Sequence, residues 1–186
     1  MTNSVAETEF NDLLFVIGSN ATEAHPIIGN KMKRAVTQHG AKLIVVDPRH
    51  TELAALATHW LRITPGTDVA LVNAMINIIV TEGWMDKQFV EERCEGFDKM
   101  WSVVETYTPE RAEEITGIPV EQIYEAAKLY ANTKEAGIYY TLGITEHTTG
   151  TENVMSLANL AMVTGHLGLE NSGVNPLRGQ NNVQGA

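Results

Sequence analysis

The run Leu13-Leu14-Phe15-Val16-Ile17 constrains this chain more than any other stretch. Five consecutive apolar residues leave no face for water, so a strand built from them must be covered on both sides. The run ends at Gly18-Ser19-Asn20, a turn into a helix. A second run of the same character, "AKLIVVDPRH", ends at Asp47-Pro48-Arg49. Parallel strands buried between two helical layers read this way, whereas half-wet antiparallel strands alternate. A third, shorter strand is read in "THWLRITPGTD", and a further apolar strand in "AGIYYTLGIT". Between the first two strands, "EAHPIIGNKMKRAVTQHG" predicts one helix, with Pro26 confined to its first turn and Gly40 as its stop. Asp68 is expected to cap a helix through "VALVNAMINIIVTEG", closed by Gly83. The middle of the chain is helical. There Thr108 is the capping candidate and Pro109 takes the first helical position, where its missing N–H costs no bond. "GTENVMSLANLAMVTGHLG" is the last long helix. This order predicts an α/β fold of three layers, a mostly parallel sheet flanked by helices, with residues 1–186 forming a single domain.

The formal net charge of −10 argues against a nucleic-acid surface, which needs clustered Lys and Arg. An anionic cofactor stays compatible with it, because backbone N–H groups bind phosphate without side-chain charge. Cys94 is the one cysteine, so no intrachain disulfide and no cysteine-based cluster can form, and a partly buried thiol is expected. The start "MTNSVAETEF" lacks the basic and apolar regions of a signal peptide. The longest apolar stretch, "VALVNAMINIIV", is interrupted by two Asn and is too short to span a bilayer, so no membrane insertion is expected.

In a Rossmann-like sheet the carboxyl ends of parallel strands share one edge, and ligands bind in the crevice there. Three strand ends carry the residue types such a crevice uses: Gly18-Ser19-Asn20, Asp47-Pro48-Arg49 and Gly66-Thr67-Asp68. Gly18 lets a backbone approach a phosphate, and Asp47 is placed to meet ribose hydroxyls. The spacing is not G-x-G-x-x-G, so the ordinary nicotinamide fingerprint is absent. Glu23, His25, Glu146 and His147 read as solvated loop or cap residues, since no spacing among them matches a metal site. His39, His50, His59 and His166 read as surface or packing residues, and Trp60, Trp84 and Trp101 as core. The segment "VNPLRGQNNVQGA" shows neither helical nor strand periodicity. Its Arg178 carries a fixed charge on a planar fork suited to a carboxylate or phosphate.

"LLFVIGSNATEAHPIIGNKMK", "LIVVDPRHTELAALATHWLRITPGTDVAL", "GITEHTTGTENVMSLANLAMVTGHLG" and "GVNPLRGQNNVQGA" together resemble the catalytic subunits of molybdopterin-dependent formate dehydrogenases, from about Asn11 to the last residue. The resemblance implies an excerpt of a longer subunit. That subunit would carry a bis(molybdopterin guanine dinucleotide) cofactor with molybdenum or tungsten, and a four-cysteine 4Fe-4S cluster in a part preceding Met1. It implies that Gly18, Ser19 and Asn20 lie by the dinucleotide phosphates. Asp47, Pro48, Arg49, Gly66, Thr67 and Asp68 would lie by the guanosine, and Gly143 toward the pterin. Arg178 matches the arginine that holds formate, with Gly179 and Gln180 beside the cofactor. No metal ligand falls within the chain, so the fragment alone is expected to bind no cofactor and to be inactive. The implied partners are formate, the remaining domains of the parent subunit and electron-transfer subunits. The implied location is cytoplasmic, with a periplasmic one left open. A nitrate reductase of the same wider family, or a non-catalytic scaffold domain of a respiratory complex, are the competing readings.

Overall fold

The computed structural model describes residues 1–179. Five strands form one sheet: β1 (Leu13–Ile17), β2 (Lys42–Val46), β3 (His59–Leu61), β4 (Ala136–Tyr140) and β5 (Gly173–Pro176). Their order is β3-β2-β1-β4-β5, and every pairing is parallel. The winding therefore runs outward from β1 through β2 to β3. It then returns to β4 on the other side of β1, which puts the topological switch between β1 and β4. The expected three-layer α/β architecture is what forms, with the sheet wholly rather than mostly parallel among the described residues.

All five residues of β1 are buried, and alternation sorts them into two cores. Leu13, Phe15 and Ile17 face a large cluster with Leu71, Met75, Ile123 and Leu160. Leu14 and Val16 face a smaller one with Met32, Ala35, Leu43, Val45 and Tyr139. Burying each such side chain contributes about 1.5–3 kcal/mol, which is why the run cannot sit at a wet edge.

Two helices, α1 (Ala21–Ala24) and α2 (Pro26–His39), follow β1 where the sequence predicts one. The break falls at His25 (φ −139°, ψ 64°), the residue that the Pro26 ring drives out of the helical region. Gly40 ends α2 in the left-handed conformation, as expected. Helix α3 (Asp68–Thr81) is apolar nearly all round, and ten of its fourteen residues are buried. Asp68 does not cap it. Thr67 holds the capping position, but its hydroxyl donates to the Thr64 carbonyl (2.7 Å), so Asp68 becomes the first helical residue. Helices α4 (Lys87–Arg93), α5 (Phe97–Val104), α6 (Pro109–Thr116) and α7 (Val120–Ala131) fill the middle, and α6, α7 and α9 (Gly150–Val163) pack on α3. Thr108 caps α6 by accepting from Arg111 N, with Pro109 first in the helix.

Two other expectations are corrected. The strand read over "AGIYYTLGIT" ends at Tyr140, and Leu142–Thr145 form one helical turn, α8. The cause is the end of β1: Thr141 Oγ1 (2.8 Å) and Gly143 N (3.2 Å) both donate to the Gly18 carbonyl, folding the chain across it. The segment from Val174, read as patternless, begins inside β5. Edge pairing to β4 is made by backbone groups, which leave no side-chain period to read, and Pro176 is tolerated at the edge.

Candidate functional site

The carboxyl ends of β1, β2 and β4 open on a cleft of about 400 Å3. Of the strand-end residues singled out in the sequence, Gly18, Ser19, Asn20, Asp47, Pro48, Arg49, Gly66 and Asp68 line it, together with Gly143. Thr67 turns its hydroxyl to Thr64 and is not part of the wall. Glu23 and His147, read as solvated loop or cap residues, also line the cleft, with Glu23 exposed and His147 half-buried. Neither has a spacing partner in sequence: Glu23 lies in the single turn of α1 and His147 in a polar loop.

The floor of the cleft is a close approach of two backbones at the switch point. A Cβ on Gly143 would lie 2.6 Å from the Gly18 carbonyl oxygen, and one on Gly18 (φ +55°) would lie 2.7 Å from the Gly143 carbonyl carbon. No side chain fits either position without moving main chain. Beside them Ser19 is buried, and its Oγ finds no hydrogen-bond partner among the described residues. A buried hydroxyl left so is costly unless a ligand or water completes it.

Asp47 is buried at the end of β2, and its carboxylate accepts from Arg49 N (2.8 Å). That turn leaves the Arg49 side chain exposed, with its Nε 3.8 Å from Asp47 Oδ1. Trp60, expected as core, is half-buried and has a second task. Its indole N–H donates to the Asp47 carbonyl (3.0 Å), and the His50 ring meets it edge-on at 4.6 Å. Together they brace the β2 turn. Asp68 is also buried in the cleft wall, where burial pushes its carboxyl above the ordinary range and its own backbone N–H, then the His147 imidazole, pull it partly back. His147 Nε2 lies 2.9 Å from the Gly143 carbonyl; a carbonyl only accepts, so this nitrogen carries the proton. The walls thus combine three carboxylates (Glu23, Asp47 and Asp68) with one guanidinium and one imidazole. Side-chain charge alone does not make this an anion site. Affinity for phosphate would come from Ser19 and from backbone N–H groups.

Arg178 and Gly179 lie outside this cleft, beyond the end of β5, where the bond from Leu177 N to the Tyr140 carbonyl (2.9 Å) extends the pairing. Arg178 is exposed, and its charge opposes the upward shift that burial imposes on the Tyr140 phenol. The His25 ring bonds the Arg178 carbonyl at 3.0 Å, so His25 is not a solvated loop residue either. Gln180 lies outside the described residues. Other expectations held where they can be seen. Cys94 is partly buried with its thiol pushed up by burial, and His166 is buried as a packing residue, edge-on to Tyr130. No helix among the described residues is long and apolar enough to cross a membrane.

Known proteins resemble this chain along its whole length. The chain is 50% identical over its whole length to the F420-dependent formate dehydrogenase subunit alpha of Methanocaldococcus jannaschii, covering 28% of that protein. It is 46% identical, again over its whole length, to formate dehydrogenase H of Escherichia coli, covering 26% of it. The chain thus spans little more than a quarter of these relatives. Among solved structures, acetylene hydratase from Pelobacter acetylenicus superposes with a TM-score of 0.80 at 33% identity, over 88% of this chain and 22% of that one. Residues 1–186 match the molybdopterin oxidoreductase family throughout, and the chain belongs to that family.

Proposed function

We propose that the protein carrying this chain is a formate dehydrogenase, oxidising formate to carbon dioxide with removal of two electrons or running the reverse. This chain would supply a cradle for a molybdopterin guanine dinucleotide and the arginine that receives the substrate. The observation that carries the reading is identity of 46–50% along the whole chain with proteins named formate dehydrogenases, against 33% with the acetylene hydratase.

The residues present fit such a cofactor. A dinucleotide needs an open crevice at the switch point, close backbone approach and uncommitted polar atoms, and the Gly18–Gly143 floor and the Ser19 hydroxyl offer these. Gly18, Ser19 and Asn20 would hold the phosphates. Asp47, Pro48, Arg49, Gly66, Thr67 and Asp68 would surround the guanosine, with the carboxylates accepting from ribose hydroxyls and base N–H groups. Thr67 would then act through the loop it shapes. Gly143 would face the pterin, and Gly179 and Gln180 would lie beside it. When bound, the metal–pterin group would be the two-electron acceptor for the substrate. A 4Fe-4S cluster, the second dinucleotide and the electron-transfer partners belong to other parts of the assembly. Arg178 would take the formate carboxylate in its planar fork and hold its orientation.

The test uses the full-length protein. Arg178→Lys keeps the charge and removes the fork, so formate turnover should fall by at least tenfold while pterin and metal contents stay near wild type. Asp47→Ala should do the reverse, losing bound cofactor first. Nitrate turnover without formate turnover in the parent would reject the substrate. Equal loss of pterin in Arg178→Lys would reassign the arginine to the cofactor.

A further inference from the structure

We propose that His25 is a positioning residue for Arg178, a strut that sets the arginine in register with the wall of the dinucleotide cleft. The inference rests on the reading of Arg178 as the formate-binding residue. Arg178 hangs from β5, two strands away from β1, so about 10 Å of sheet separates its strand from β1. The last sheet bond on that side is from Leu177 N to the Tyr140 carbonyl (2.9 Å). Past it, the space where a Gly179 side chain would lie is open. The backbone at Arg178 is tied by His25, whose Nε2 lies 3.0 Å from the Arg178 carbonyl. The carbonyl only accepts, so His25 donates from Nε2.

The mount of this imidazole is rigid. His25 N donates to the Ala21 carbonyl (3.0 Å), the His25 carbonyl accepts from Gly29 N (2.9 Å), and Pro26 follows directly. Gly29 allows α2 to press on α1, since a Cβ there would lie 2.9 Å from the Ala21 carbonyl oxygen. Its neighbours Glu23 and Ala24 are cleft wall. One side chain therefore joins the wall that would hold the cofactor to the segment that would hold the substrate. An arginine able to drift by an ångström would lose much of its orienting effect.

Three variants of the full-length protein test this. His25→Phe keeps the ring and removes the donor. His25→Gln keeps a donor near the Nε2 position, and His25→Asn, whose amide stops short, replaces the Phe variant if that one does not accumulate. The expected result is a rise of about ten- to a hundredfold in KM for formate in His25→Phe, with pterin and metal contents unchanged and most of the loss recovered in His25→Gln. Backbone hydrogen exchange around Arg178 and Gly179 should quicken in the Phe variant alone. Loss of cofactor in proportion to activity, an unchanged KM, or a Gln variant no better than Phe would overturn the proposal. Should Arg178→Lys leave the formate KM unchanged, the reading of Arg178 fails by itself. Unchanged exchange in His25→Phe removes the strut whatever Arg178 binds.

Discussion

At the residue scale, Gly18 and Gly143 decide whether the cleft can exist. They are 125 positions apart in sequence and meet only because β1 and β4 are neighbours, with the Gly18 carbonyl accepting from both Gly143 N and Thr141 Oγ1. Gly143→Ala would place a methyl group 2.6 Å from a backbone oxygen, which has no rotamer with which to move aside. It should destabilise the chain by about 1–3 kcal/mol, read as a lower urea midpoint at constant slope. The full-length protein should also lose pterin. An unaltered midpoint would mean that the switch point is looser than the backbone contacts imply. Gly18 was legible as a strand-end glycine. Its partner was placed by the family resemblance alone, because nothing in "TLGIT" announces a close approach.

At the scale of elements, the helices behind the sheet keep α3 covered, and α6 is the one whose start hangs on a single hydroxyl. Thr108 Oγ1 accepts from Arg111 N at 3.3 Å, and the Arg111 guanidinium lies 4.9 Å over the Tyr107 ring. Thr108→Ala leaves an orphan donor at the helix start and should cost about 1 kcal/mol in equilibrium urea unfolding. A loss below a few tenths would show that Pro109 and packing on α3 hold α6 without the cap. This boundary was readable in advance because a cap is a local bond between residues three apart. The split at His25 was half readable, with Pro26 visible as a constraint but its effect on the preceding residue not anticipated. The strand β5 was not readable at all.

At the scale of the whole molecule, the first twelve residues close the structure into one piece. Thr2 N donates to the Val174 carbonyl and Val174 N to Thr2 Oγ1, extending the β5 edge. The Glu7 carboxylate accepts from Asn3 Nδ2, Ser4 N, Ser4 Oγ and Asn171 N, while Glu9 binds Lys31 and Arg34 of α2. The Asn3 amide, with the Ser4 and Asn171 backbone N–H groups, holds Glu7 down at about 2. Arg34 and Lys31 do the same for Glu9. A carboxyl lowered on folding adds stability above its unfolded value, near 4.5, and that contribution is lost as pH falls toward about 2. Glu7→Gln should therefore lower the urea midpoint at pH 7, with the gap to wild type shrinking steadily as pH falls below 4.5. A gap independent of pH would assign the effect to packing rather than to charge. The Thr2–Val174 and Glu7–Asn171 pairs could not be read from the sequence, since each joins positions more than a hundred and sixty apart.

The apolar runs required both-face burial and hence a parallel α/β sheet, and their polar ends marked the residues of a crevice. These are local properties: a strand's need for cover and a turn's choice of residue are written in consecutive positions. Only the tertiary structure brought Glu23 and His147 into the cleft, took Thr67 out of its wall, turned Trp60 into a brace for Asp47 and joined His25 to Arg178. Each of those contacts depends on the strand order β3-β2-β1-β4-β5, which places chain segments side by side according to sheet pairing and not according to their distance in sequence.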